Sequence, residues 1–335
     1  MAESSSWTLF HAKLHRTLRS RHLLPCNSRL LVAVSGGQDS LCLIKLLLDL
    51  QPKWQWHLAI AHCNHKWRAD AEANANYVAQ LAKSWNISCY CQTTAQVLSS
   101  EAAARIWRYQ ALSAIAQEHN YQIIVTGHTA SDRAETLLYN LIRGSGADGL
   151  QALTWQRPLP PQLILVRPLL EFTRAQTAQF CQDLHLEVWE DSTNQDLKYA
   201  RNRIRQEVLP CLHHFNPQVE QALAQTAELL HAEVEYLEQA AQQLYQQATL
   251  QTSLFSENEI NASTIRLNCC VLQTAPLALQ RRVMRHCLQQ VLKTAPSFEH
   301  IEKLIALIGA SNGSQTDPFP GGAIAQVKNG WIWII

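Results

Sequence analysis

The chain has 335 residues, enough for two ordinary domains, since single cores stop growing near ~250 residues. Its apolar share of 47% is that of a globular protein, and no apolar run approaches the ~18 residues a membrane span needs, so a membrane protein is excluded. With a net charge of only +1, the overall field neither attracts nor repels a polyanion, and any nucleic-acid surface must come from local clustering.

In chain order, the N-terminus is serine-rich and basic like an organelle transit peptide, but Trp7, Phe10, Leu14 and Leu18 follow helical spacing and predict a docked helix. Strand-like runs follow at Leu30 to Ser35, Leu58 to His62, Ile87 to Cys91 and Ile123 to Gly127, with a weaker one at Leu163 to Arg167. Helical segments separate them, the pattern of an α/β fold with a parallel sheet wrapped by helices. The Asn-Pro turn in "HHFNP" ends it, placing a domain boundary near residue 216. Beyond it, Leu223, Leu230, Leu237 and Leu244 mark the apolar stripe of a long linking helix, and a small α-rich module ends in a closing hairpin. Domains of residues 1–216 and 217–335 are expected. The ten cysteines include no CxxC pair and read as reduced, mostly buried cytosolic thiols, so a cytoplasmic location is expected.

The first strand runs into "SGGQDS", Ser35 to Ser40. Taken alone, this is a tight turn with a helix N-cap. Between a buried strand and a helix, however, backbone amides and the helix dipole make an anion site. Neither the spacing nor the lysine of a Walker A loop is present, nor the GxGxxG of a dinucleotide site. The loop offers bare amides, two hydroxyls and one carboxylate, Asp39, suited to holding a phosphate chain through a metal.

SGGxDS after a first strand resembles the PP-loop of the ATP pyrophosphatase superfamily. That resemblance implies a Rossmann-like PP-loop ATPase domain, an ATP site formed by Ser35, Gly36, Gly37, Gln38, Asp39 and Ser40, and magnesium held by Asp39. Four further stretches resemble the tRNA(Ile)-lysidine synthetases. "HCNHKWR" from His62 is similar to their HVDHGLR, with His65 and Arg68 matching and Asn64 replacing an aspartate. "ARIWRY" matches ARxxRY, and the resemblance puts Arg105 near ATP or the RNA backbone. "HTASDRAET" is similar to HHxDDQAET: Asp132 and Glu135 match, whereas Thr129, Ser131 and Arg133 depart. Spaced i and i+3, these acids share a helix face near the positive end of the dipole, where helix capping is the plainer account. "EDSTNQDLKYARNRIRQEVLP" closely follows the family's EDSTNxDxxYxRNRIRxxxLP, carrying Asn194, Arg201, Arg203 and Arg205. "LALQRRVMRHCL" is weakly similar to the family's small C-terminal domain, and the likeness is to its shorter form.

What this implies is a ligase that joins L-lysine to C2 of the wobble cytidine in a CAU-anticodon tRNA(Ile), through an adenylated base and with release of pyrophosphate and AMP. Asp132 and Glu135 would anchor the lysine cation, and Asp39 or Asp132 would take its proton. Asn194, Arg201, Arg203 and Arg205 would contact substrate, with Arg281, Arg282 and Arg285 as further candidates for RNA phosphates. A PP-loop tRNA thiolase and an inactive tRNA-binding protein of the same fold are the rivals. The sequence is silent on oligomeric state, a homodimer being allowed.

Overall fold

The computed structural model describes residues 7–66, 70–95, 100–189, 196–249 and 265–335, and the chain divides into two compact units, residues 1–231 and 232–335. The division falls inside the long helix, after the Asn-Pro turn at residue 216 that marks the boundary in the sequence.

In the first unit β1 (Arg29–Ala33), β2 (His57–Asn64), β3 (Ser88–Thr93), β4 (Ile123–Thr126), β5 (Gln156–Leu159) and β6 (Leu163–Val166) form one sheet in the order β3-β2-β1-β4-β6-β5. All neighbours are parallel except β5, which runs antiparallel at the edge. That strand has no counterpart among the expected runs: Pro158 interrupts its pattern, and proline is confined to such edges. Period-two alternation buries both sheet faces. Leu30, Val32, Leu58 and Ile60 pack with helices α1 (Leu9–Ser20) and α2 (Gln38–Trp54). Leu31, Ala59 and Ile124 pack with α4 (Glu101–Glu118), while α3 (Ala71–Ser84) joins the first face through Val78. The N-terminal segment is a docked helix, with Leu14 and Leu18 fully buried.

Strand order reverses at β1, which has β2 on one side and β4 on the other. In open α/β sheets, ligands bind outside the carboxyl ends of the strands at such a switch point. Here those ends lead into Ser35–Ser40 and into Gly127–Thr129 ahead of α5 (Ala130–Ile142). A short α6 (Ala147–Leu150) precedes β5, α7 (Arg174–Asp183) follows β6, and α8 (Ala200–Arg203) passes through a π-helical turn, Ile204–Val208, into α9 (Leu209–Phe215).

Helix α10 (Val219–Thr249) buries Ala224, Ala227, Val234, Ala241, Leu244 and Ala248, so its inner stripe is largely alanine rather than the heptad leucines, of which Leu230 and Leu237 are half-buried. In the second unit β7 (Ile265–Asn268), β8 (Ala325–Lys328) and β9 (Trp331–Ile334) form an antiparallel sheet in the order β7-β9-β8. The closing hairpin turns at Asn329-Gly330, both at positive φ, the backbone that matches strand twist. Helices α11 (Cys269–Gln273), α12 (Leu277–Val291) and α13 (Phe298–Leu307) complete this unit, with Met284, Cys287 and Leu304 in its core. The α-rich module therefore also holds a three-stranded sheet. No described helix is long and apolar enough to cross a membrane.

One buried ion pair fastens α10 to α5. Arg133, only 2% exposed, donates Nη1 to Glu228 Oε2 at 2.8 Å. Glu228 also accepts from Trp155 Nε1 at 2.8 Å and from Arg21 Nη1 at 2.6 Å, and Arg21 stacks 4.0 Å above the Trp155 ring. Removing one partner of such a pair strands a buried charge, typically at 3–5 kcal/mol, whereas replacing both by apolar groups is much less harmful. We expect Glu228→Ala to cost about 3 kcal/mol of stability, read as a lowered midpoint in urea unfolding, and Arg133→Met/Glu228→Leu to recover most of it. Burial alone would raise the Glu228 carboxyl, but Arg133, Trp155 and Arg21 hold it below its ordinary value. Its stabilisation is thus present above the unfolded pKa of about 4.3 and lost as pH falls through the lower folded value, and Glu228→Gln should flatten that acid dependence.

Candidate active site

The turn after β1 is held open by its own hydroxyls. Ser40 Oγ accepts from Ser35 N at 3.1 Å and donates to the Gly37 carbonyl at 2.8 Å, while Gly37 N donates to Ser35 Oγ at 3.3 Å. Gly36 sits at φ +88, where a Cβ would lie 2.4 Å from Asn74 Oδ1, and Asn74 Nδ2 donates to the Ser35 carbonyl at 2.9 Å. Gly37 then caps α2, whose first amides lack intrahelical acceptors and point, with the positive end of the dipole, into the space beyond the strands. That space is a cavity of about 730 Å³, lined by the loop together with His62, His65, Arg108 and His128. Gly127 closes its floor, because any Cβ there would stand 2.8 Å from the Asp39 carbonyl oxygen.

At one side of the cavity Arg174, the first residue of α7, joins three carboxylates. Its Nε is 3.3 Å from Asp39 Oδ2, Nη2 is 2.8 Å from Asp132 Oδ1, and Nη1 is 3.3 Å from Glu135 Oε1. Asp39 also accepts from the Thr177 hydroxyl, and Glu135 accepts both Nε and Nη2 of Arg205, at 2.7 and 2.8 Å. Burial and the adjacent Asp132 charge push the Asp39 carboxyl up. Burial would do the same to Asp132, but Arg174 and the Thr129 cap hold it down. Burial lowers His128 to about 3, assisted by Arg167, Arg108 and Arg105 against the opposing pull of Asp132, so it is a neutral imidazole, bonded to Thr126 Oγ1 at 2.9 Å. On the opposite wall, Trp189 N donates to the Gly36 carbonyl at 3.0 Å and its indole N–H to Asp70 Oδ2 at 3.0 Å.

The structure brings together Ser35, Gly37, Gln38, Asp39, Ser40, His65, Asp132 and Arg205 around one cavity. Glu135 lies behind Asp132, only 3% exposed, and reaches the site through its two arginines. Arg105 does not line this cavity; Arg108, one helical turn on, does. The basic cluster of α8 splits, for Arg201 turns 3.8 Å from Glu101 and Arg203 pairs with Glu207 at the surface, leaving Arg205 facing inward. In α12, Arg281 pairs with Glu302, and Arg282 and Arg285 with Glu238. Arg68 and Asn194 lie outside the described residues.

Arg174, Thr177 and Asn74 are the functional neighbours that motif reading missed. For Arg174 a signal existed: an arginine at the first position of a helix is opposed by the dipole, which calls for an acidic partner elsewhere.

Residues 8–212 match the family described as the PP-loop domain, and residues 267–333 match the TilS substrate binding domain. The chain is 68% identical to a tRNA(Ile)-lysidine synthase from Nostoc sp. over 97% of its length and 96% of the relative's. It is 51% identical to one from Synechococcus sp. over 98% of this chain and 97% of the other. The chain belongs to the tRNA(Ile)-lysidine synthase family. Its membership makes it a tRNA-modifying ligase with an ATP-using PP-loop domain. In shape it is similar to the U34-tRNA thiolase NcsA from Methanococcus maripaludis, with a TM-score of 0.57, 16% identity and coverage of 66% of this chain and 78% of that one. At that identity the likeness is one of fold alone.

Gly127→Ala tests the close approach of the two switch-point loops. Overpacking there should displace the first turn of α2 and weaken ATP binding by about tenfold or more in calorimetry, with circular dichroism unchanged.

Proposed function

We propose that the chain joins lysine through its ε-amine to C2 of the wobble cytidine in a CAU-anticodon tRNA(Ile), in two steps at this one cavity. In the first, the cytidine O2 attacks the α-phosphorus of ATP and pyrophosphate leaves. In the second, the lysine nitrogen attacks C2, the C2–O bond breaks, AMP departs, and the amine gives up a proton. The observation that carries the reading is the glycine turn of α2 opening onto a cavity that also presents a buried carboxylate cluster.

Amides of Gln38 and Asp39, in the first turn of α2, would receive the departing diphosphate, where fixed dipoles act without reorganising. Asp39 at the cavity wall fits a magnesium ion, which needs one or two carboxylates besides the nucleotide's own phosphates. Magnesium would spread the negative charge of the polyphosphate. Asp132, backed by Glu135, supplies the negative potential for a cationic amino acid. In the present arrangement Arg174 fills that potential, so a lysine ammonium would replace its guanidinium against Asp132. Such RNA chemistry belongs in the compartment where tRNA matures, the cytoplasm.

Two features weigh against the rivals. Among the described residues no group of side chains could hold a metal cluster, and Cys63, the thiol lining the cavity, is pushed up to about 12 by burial, which suits neither a sulfur carrier nor a nucleophile. The departures from the family pattern have structural partners. Asn64 closes its own turn by accepting from Lys66 N at 2.9 Å, and Ser131 accepts from Arg174 N at 2.9 Å and donates to Glu220.

With ATP, magnesium, labelled lysine and the CAU-anticodon tRNA, label should enter RNA. Asp39→Ala should abolish both pyrophosphate release and labelling. Asp132→Ala should release pyrophosphate in the presence of tRNA yet lose lysine incorporation by at least about a hundredfold, as expected for removal of a charge partner worth ~3 kcal/mol. Sulfur transfer without lysine, or tRNA binding with no pyrophosphate release by the unaltered chain, would overturn the proposal.

A further inference from the structure

A second cavity, of about 410 Å³, lies beside the first and shares Tyr109 with it. Its walls carry Arg105 of α4, Arg157 of the edge strand β5 and Arg167 at the end of β6. The guanidinium carbons of Arg157 and Arg105 stand 4.8 and 5.4 Å from the Tyr109 ring centre, and that of Arg108 stands 6.0 Å away. Arg167 is 2% exposed; its Nη1 donates to the Thr154 carbonyl at 2.6 Å, but its Nε is buried with no hydrogen-bond partner.

What sets this cluster apart is charge balance. Arg174, Arg205, Arg133, Arg281 and Arg282 each lie against a carboxylate. Among the described residues none of Arg105, Arg108, Arg157 and Arg167 makes an ion pair. Gathered guanidinium groups repel one another, and a buried one without a counter-ion is costly. The same positive potential reaches the tyrosine: burial would raise the Tyr109 hydroxyl, yet Arg105, Arg167, Arg108 and Arg157 bring it below its ordinary value. Such an arrangement is stable in use when an anion completes it.

We propose that this second cavity is a subsite for a backbone phosphodiester of the RNA, adjacent to the base presented in the first cavity. The inference rests on the tRNA-ligase reading above. A base that enters the first cavity has left its stack and draws its own sugar-phosphate with it. A phosphate next to that base then falls near the wall common to both cavities, where Tyr109 stands. The nucleotide's phosphates have their own receptor at the N-terminus of α2, so the RNA is the source of the anion. Phosphate contacts of this kind position a substrate without reading its sequence.

Arg157 is half-buried on an edge strand and its side chain makes no hydrogen bond among the described residues, so it can be changed without disturbing the core. Filter binding of the CAU-anticodon tRNA to the full chain, at a series of salt concentrations, should show Arg157→Gln binding about tenfold more weakly at low salt. Its slope of log affinity against log salt should be shallower by about 0.7–0.9, the loss of one phosphate contact. Arg105→Gln should act alike, KM for ATP should be unchanged in both, and the exposed Arg19→Gln should leave affinity and slope as they were. Unchanged affinity and slope in the Arg157 and Arg105 variants would overturn the proposal, as would an equal effect of Arg19→Gln. A raised KM for ATP, or altered inhibition by pyrophosphate, with an unchanged RNA slope would assign the anion to the nucleotide and likewise refute the RNA subsite. If the unaltered chain itself failed to bind or modify the tRNA, the functional reading would fail first, independently of these arginines.

Discussion

One guanidinium among three carboxylates is the constraint on which the site depends. Without Arg174, only Arg205, bound to Glu135, would offset the charges of Asp39, Asp132 and Glu135 in a half-buried cleft, and such groups cannot all stay ionised at close range. The arginine comes from a helix far along the chain, so the site exists only after β6 and α7 have joined the sheet. Arg174 also has to hold its charge against the dipole of its own helix, which it does through charge-assisted bonds to all three acids. The loop is tied to the same point: Gln38 Nε2 donates to the Arg174 carbonyl at 2.8 Å. The glycine turn and the acid cluster are therefore positioned together.

Much of this was legible in the residues. The alternation of short β-branched runs with helical segments specified the parallel sheet, because strands buried on both faces leave a continuous apolar signal. The SGGQDS turn was readable because few residues other than glycine tolerate the positive φ of Gly36 or the crowding against Asn74. Strand β5 was not readable, since an edge strand with Pro158 and one exposed face carries neither alternation nor a run. Nor was the scatter of Arg201, Arg203 and Arg205. Positions two apart on a helix diverge by about 200°, so adjacency in sequence implies no common direction. Arg174 escaped notice because its meaning lies wholly in tertiary partners.

The site is electrically divided. The first cavity has an acidic side at α5 and α7, which would favour a cation, and the adjoining second cavity carries the arginines of α4, β5 and β6, which would favour an anion. Neutral His128 stands between them, denied a proton by burial and by the arginines in spite of Asp132 nearby. The reaction proposed above brings a cationic amine to a polyanionic nucleic acid and a nucleotide, and such separation would serve it. Otherwise the amine would pair with phosphate rather than approach carbon.

The departures of α5 from the family pattern fit the same logic. Ser131 and Arg133 both point to α10, one to Glu220 and the other to Glu228, two turns further along. Asp132, the residue between them, pairs with the Arg174 guanidinium at the cavity, while Ser131 also accepts from the Arg174 amide. On a helix, residues i and i+2 flank i+1 at about 100° on either side, so contacts at 131 and 133 fix the rotation of α5 about its axis and hence the direction of 132. A carboxylate in place of Ser131 would meet Glu220 as a like charge, and the hydroxyl instead donates to it. Ser131 and Arg133 thus help to aim Asp132, and the first turns of α10 position the acid cluster as the turn after β1 positions Asp39.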